Sequence, residues 1–259
     1  SWQLTAGRFV AIQNALPDLK LVDCSTLVSA QRVIKSPAEI GYQRLAGKAA
    51  EAGMQAAIET AIPGNSERVM AAAISEAMIL AGSDRPGPGV LSTGERAFHL
   101  HGGYSDRILK AGDHVQVETT PNVRYYHARF MRPIKAGHAS QEDHDLVSQL
   151  ADIQDQALAE IGPGVHVSIP DKLYRDGVLQ AGLAESYTNK TFYSVGLMFD
   201  PTSGEPLEAT AVSDWEFQAG MVLHTYVLAR GFGISETITV DQTGIERLTN
   251  FPRKLFVAN

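Results

Sequence analysis

The side chains of this sequence that offer acid–base, nucleophilic or electrophilic chemistry are carboxylates, histidines, arginines and tyrosines in strand-like segments. Glu118 stands in the middle of the run HVQVETT, where a glutamate buried alone is costly. It reads either as half of a structural ion pair with Arg129 or Arg132, or as a catalytic carboxylate. His99 and His101 are two apart, which on a strand places both on one face. His224 follows the apolar run MVL and reads as a pocket group or as a core histidine with a hydrogen-bond partner. Cys24 is the only cysteine, which excludes an internal disulfide or thiolate zinc site and fits a reducing compartment, the cytoplasm. The Gly-Pro-Gly stretches at 87–89 and 162–164 lack the strand-to-helix context of a phosphate loop, so no cofactor is expected.

The elements that must position these residues come from 259 residues of 44% hydrophobic content, enough for one substantial core or two fused halves of one. A net charge of -7 with only 22 Lys and Arg argues against nucleic acid, which needs a basic patch. No apolar run reaches the roughly 18 residues of a membrane helix, so no membrane partner is expected. Residues 1–34 carry too little apolar material for a core and read as a linker, or the remnant of a missing N-terminal domain, ahead of a catalytic-type domain over 35–259.

Ser36, Pro37 and Glu39 supply a cap hydroxyl, a preset φ and a reciprocal carboxylate, and so open a long helix. After the break IPGNSE, RVMAAAISEAMILAG has helical spacing and Gly82 at its stop. From about Val90, VLSTGERAFHLHGG and HVQVETTPNVRYYHARFMRPI read as strands with a Pro-Asn turn. The order then restarts: Ser140 with Asp143 caps a helix, a Gly-Pro-Gly break follows, and Ser168–Asp171 opens another through Gln180. KTFYSVGLMF, MVLHTYVLA and SETITVDQTGIERLT, with Gly244 in the last turn, complete an internal two-fold repeat of helix, helix and sheet.

The block RVIKSPAEIGYQRLA resembles the start of the catalytic domain in creatinase, prolidase and aminopeptidase P relatives. A strand-borne His101, KAGDHVQVE, Tyr126 and Arg132, QAGMVLHTY and GISETITVDQTGIERLTNFP follow in the same order, so the resemblance to the creatinase/prolidase superfamily covers roughly 36–256. It implies the α+β pita-bread fold, a pocket between two sheets backed by helices, a small-molecule substrate and a homodimer. Metal-dependent members hold two divalent ions with two aspartates, one histidine and two glutamates. The resemblance puts those places at Glu118, Arg129, Tyr193, Tyr226 and Glu236, a set whose arginine and tyrosines do not suit hard cations and which implies no metal. The blocks Glu118, Tyr125–Ala128 with Arg132, Tyr193–Gly196, Gly220–Met221 with His224, and Ser235–Thr237 are similar to the metal-free ectoine-hydrolase branch.

That likeness implies hydrolysis of a C–N bond, amide or amidine, in a small polar compound bearing a carboxylate. Glu118 or Glu236 then serves as nucleophile or base, and His101 or His224 as proton relay. Arg129 or Arg132 orients the substrate carboxylate, and Tyr126, Tyr193 and Tyr226 donate to an oxyanion. The alternatives are a pita-bread module that binds a ligand or peptide without catalysis, and an Xaa-Pro-type metallopeptidase with an unusual ligand set.

Overall fold

The computed structural model describes residues 4–87, 89–99, 101–198 and 205–259. Pro88, Leu100 and Phe199, which the sequence reading placed in a loop and two strands, lie outside the described residues. The lead-in carries two helices, α1 (Ala6–Ala15) and α2 (Ser25–Arg32), and α1 buries none of its residues. Then come α3 (Pro37–Thr60) and α4 (Glu67–Leu80), and later α5 (Gln141–Ala159) and α6 (Ser168–Gln180). Local chemistry sets these limits. Ser36 and Glu39 form the reciprocal cap of α3, and Ser140 and Asp143 that of α5.

Strands fill the spaces between the helix pairs: β1 (Leu91–Thr93), a short 3₁₀ helix (Gly94–Phe98), β2 (His114–Thr119), β3 (Asn122–Val123), β4 (Tyr126–His127), β5 (Phe130–Met131) and β6 (Ile134–Ala136). The second half supplies β7 (Phe192–Ser194), β8 (Glu208–Ala209), β9 (Val222–Ala229), β10 (Phe232–Val240), β11 (Ile245–Arg247) and β12 (Phe256–Ala258). Ten of them form one sheet in the order β12-β6-β2-β5-β10-β9-β7-β8, with β1 on β2 and β11 on β10, and β3 and β4 pair separately. A core of Met54, Met70, Ile74, Val115 and Val117 packs α3 and α4 on the first half. Leu150, Ala157, Tyr174, Val227 and Ile234 do the same for α5 and α6. No helix among the described residues is long and apolar enough to cross a membrane.

The repeat is visible bond by bond. Gly64 donates its N–H to Leu109 O at 2.9 Å and Gly164 to Phe217 O at 2.8 Å. The α4 and α6 stops match too: Gly82 and Gly182 both have positive φ, and Ser83 and Leu183 donate back to Met78 O and Val178 O.

Two expectations need correction. The turn expected at Pro121-Asn122 falls at Arg124-Tyr125, both at positive φ, because β3 pairs β4 as a two-residue hairpin. His101 is not on a strand: after β1 the chain coils into the 3₁₀ helix, and His101 lies exposed in the following loop.

Candidate functional site

Register explains which side chains meet. Glu118 on β2 pairs Met131 on β5, Met131 pairs Ser235 on β10, and Ser235 pairs Tyr226 on β9. Directly paired residues share a face, so these four form one row across the centre of the sheet. His224 is two residues from Tyr226 and pairs Tyr193 on β7, which extends the same face. Above it is a cavity of about 420 Å³ lined by Glu118, Arg129, Met131, Tyr193, His224 and Tyr226, with His101, Thr188–Lys190, Glu205 and Glu208 towards the mouth.

Glu118 and Arg129 form an ion pair on the floor of this cavity. Arg129 Nε lies 2.7 Å from Glu118 Oε1 but out of line for a hydrogen bond, while Nη2 donates to Oε2 at 3.2 Å. The guanidinium also sits 5.4 Å over the Tyr193 ring. Burial disfavours the Arg129 charge, but Glu118 and Tyr193 outweigh it, and its pKa stays above the ordinary value. Nε2 of His224 is 3.7 Å from Glu118 Oε1. Neither ring nitrogen of His224 nor Glu118 Oε1 has a hydrogen-bond partner among the described residues.

Burial holds the His224 pKa well below its ordinary value, with Arg129 and then His127 adding to the effect, so the ring is neutral. Burial also raises Tyr193 and Tyr226 well above the ordinary phenol range, Tyr193 next through Glu118 and Tyr226 next through Tyr187. Both phenols keep their protons and remain donors. The three rings pack on one another: Tyr193 meets His224 edge-on at 4.9 Å, and His224 stacks with Tyr226 at 5.3 Å.

Glu236 is elsewhere. It follows Ser235, and the strand period of two turns its side chain to the opposite face from Glu118. There Arg132 Nη2 donates to it at 2.5 Å and Thr249 Oγ1 at 2.5 Å, with both side chains of the ion pair at 0% exposure. Arg132 is otherwise spent on the carbonyl oxygens of Met131, Ser235, Phe251 and Pro252. Neither Glu236 nor Arg132 lines the cavity, which corrects the expectation of a pocket bounded by Glu236. Tyr126 does not line it either: its hydroxyl donates to Glu39 Oε1 at 2.5 Å, and burial first, then Glu39, pushes its pKa up to about 12. Sequence reasoning misses the lining residues Thr188–Lys190, Glu205 and Glu208, and beneath them Ser235, fully buried in the row with no hydrogen-bond partner for its hydroxyl among the described residues. Counting alternation along β10 against Tyr226 is the signal that would have found it.

Residues 42–242 match metallopeptidase family M24. The chain belongs to that family. It is 30% identical over 268 residues to an uncharacterized hydrolase/peptidase, y4tM, of Sinorhizobium fredii, covering 99% of this chain and 68% of that one. It is 28% identical to the ectoine hydrolase of Halomonas elongata, again covering 99% of this chain and 68% of the relative. The crystal structure of an X-Pro aminopeptidase from Thermotoga maritima superposes with a TM-score of 0.88 at 23% identity, over 98% of this chain and 72% of that one. The fold is therefore the pita-bread fold of this M24 member.

The family's name implies a metal, and the floor of the cavity does not fit one. Among the described residues that line the cavity, Glu118 is paired with Arg129, Glu205 with Arg32 and Lys35, and Glu208 with Lys190, while Glu236 faces away into Arg132. Among the described residues no three His, Cys, Asp or Glu side chains converge as a metal ligand set. A cation placed about 4 Å from the guanidinium would be repelled by roughly 4 kcal/mol per pair of unit charges at the effective dielectric of a protein interior.

Proposed function

We propose that this M24 member is a metal-independent hydrolase that cleaves a C–N bond in a small polar compound bearing a carboxylate. The observation that carries the reading is the floor of the cavity: Glu118 Oε1 and a neutral His224, 3.7 Å apart and neither with an aligned hydrogen bond among the described residues, beside the fixed cation of Arg129. In this reading the nucleophile is a water held between the two side chains. Glu118 takes a proton from that water as its oxygen bonds to the substrate carbon, and His224 orients it as a neutral partner. When the C–N bond breaks, Glu118 returns that proton to the leaving nitrogen, directly or through His101 at the mouth. Tyr193 and Tyr226, held protonated, donate to the oxygen that gains charge, and Arg129 supplies a cation there without a metal ion. The likeness to an ectoine hydrolase supports a substrate of this class.

The test is a panel of N-acylated diamino acids, cyclic amidines and Xaa-Pro dipeptides, assayed with chelator and with added manganese or cobalt. Turnover of an amide or amidine in chelator, lost in Glu118→Gln, is the expected result. Cleavage of Xaa-Pro dipeptides only with added metal would establish the metallopeptidase reading instead. Calorimetric binding of a panel member that is never turned over would establish a non-catalytic module, a reading favoured by the neutralisation of Glu118 by Arg129.

A further inference from the structure

Two buried carboxylates outside the cavity have partners that the chemistry above does not use. Glu67, the first residue of α4, is at 0% exposure. Its Oε1 accepts from Thr93 N at 2.9 Å and Thr93 Oγ1 at 2.8 Å. Its Oε2 accepts from Ser105 N at 2.6 Å, Ser105 Oγ at 2.7 Å and Arg96 Nη1 at 2.7 Å. One carboxylate thus ties together the two ends of the stretch that carries His101. Arg96 adds a bond to Gly103 O at 2.5 Å inside that stretch, and Leu91 N donates to Gly102 O at 2.9 Å. A Cβ on Gly102 would meet Ser92 Oγ at 2.6 Å, so the stretch is seated closely on β1.

Asp171 in the first turn of α6 repeats the arrangement in the second half. It accepts from Thr191 Oγ1 and, through both oxygens, from Arg175 at 2.7 and 2.9 Å. Arg175 Nη1 in turn donates to Tyr187 O at 2.7 Å. Tyr187 and Thr191 bound the three mouth residues Thr188, Asn189 and Lys190. Each half therefore uses a carboxylate at the start of its second helix, where the helix N-terminus favours negative charge, to close one loop over the cavity.

We propose that Glu67 and Asp171 are positioning residues: they fix the two loops that form the cavity mouth, Glu67 placing His101 and Asp171 placing Thr188–Lys190. The loop part stands on its own, and the kinetic part rests on the hydrolase reading. The experiment is hydrogen exchange by mass spectrometry on the full chain, with steady-state kinetics on whichever panel compound is hydrolysed. Glu67→Ala is expected to speed exchange at 101–105 by about ten-fold or more while 187–191 is unchanged, and Asp171→Asn to do the reverse. Asp171→Asn is expected to raise KM with kcat retained. Glu67→Ala is expected to lower kcat, with Glu67→Gln, which keeps the shape and one acceptor oxygen, restoring part of it. If Glu67→Ala does not fold, Ser105→Ala removes one side-chain contact and reports on the same loop. Exchange that rises evenly over the chain, or a freed loop with unchanged kcat and KM, would overturn the proposal. A panel with no turnover would sink the hydrolase reading, while the exchange pattern still decides the clamp.

Discussion

Glu118–Arg129 and Glu236–Arg132 are both glutamate–arginine pairs near the centre of one sheet, but they face opposite sides of it. Arg132 gives every described donor contact to Glu236 or a carbonyl oxygen, Thr249 covers the second carboxylate oxygen, and neither side chain is exposed. Glu118 keeps an oxygen without a hydrogen-bond partner, Arg129 is 14% exposed, and a neutral histidine waits beside them. A saturated pair has no valence left for a ligand and acts as a bolt between β5, β10 and the tail. An unsaturated pair at a cavity has both charge and free hydrogen-bonding capacity. Burial of charge is thus a poor marker of function; incomplete satisfaction of a buried charge is a better one.

Substitutions can break this contrast. Glu236→Leu leaves the buried charge of Arg132 without a carboxylate, held only by carbonyl oxygens, and is expected to cost about 3–5 kcal/mol in urea unfolding, the largest effect of the set. Combining it with Arg132→Met should return most of that loss, since paired apolar side chains replace a buried ion pair at little cost. A double variant no more stable than Glu236→Leu would show that the carbonyl contacts of Arg132, rather than the pair, hold the tail. Glu118→Gln at the cavity is expected to cost less than Glu236→Leu, because the amide oxygen of the glutamine can still accept from Arg129. The same substitution should lower turnover by about 10²-fold or more. A large loss of stability in Glu118→Gln would make that pair a second bolt.

The smallest expected effect is a pH slope. The folded-state pKa of His224 lies below its ordinary 6.5, so below that pH the unfolded chain takes up the proton first. Its contribution is therefore unchanged above about pH 7 and becomes destabilising as pH falls through 6.5 towards the folded value. His224→Gln should flatten the dependence of Tm on pH between 7.5 and 5, set against Glu118, Arg129 and His127 around the ring. An unchanged slope in His224→Gln would show that other carboxylates and histidines set the acid limit.

Much of the scaffold is legible in the amino-acid sequence. The capping pairs Ser36 with Glu39 and Ser140 with Asp143, the stop at Gly82 and the hairpin around Gly244 are each made within a few residues of chain. So are the helix–helix–sheet order and six members of the cavity: His101, Glu118, Arg129, Tyr193, His224 and Tyr226. Glu236 enters the candidate site through the resemblance to the family's ligand places, whereas the strand's two-residue period gives the cavity face to Ser235. His101 was read as strand because His99 and His101 alternate, yet the 3₁₀ turn and the bonds from Glu67 and Arg96 make a loop of that stretch. The two helices of the lead-in are not among the elements read from the sequence, which shows there too little apolar material for a core, and α1 buries none of its residues.

Capping, alternation and glycine placement concern neighbours along the chain, so residue order alone specifies them, and with them the elements and the acidic, arginine- and tyrosine-bearing character of the site. Which charge is satisfied and which is left open depends on partners far apart in sequence, such as Arg132 with Glu236 or Glu67 with Ser105. Those distances arise only once two helix pairs have closed on one sheet, because hydrogen bonds and desolvation are decided by what comes within a few ångströms, not by what stands next in the chain.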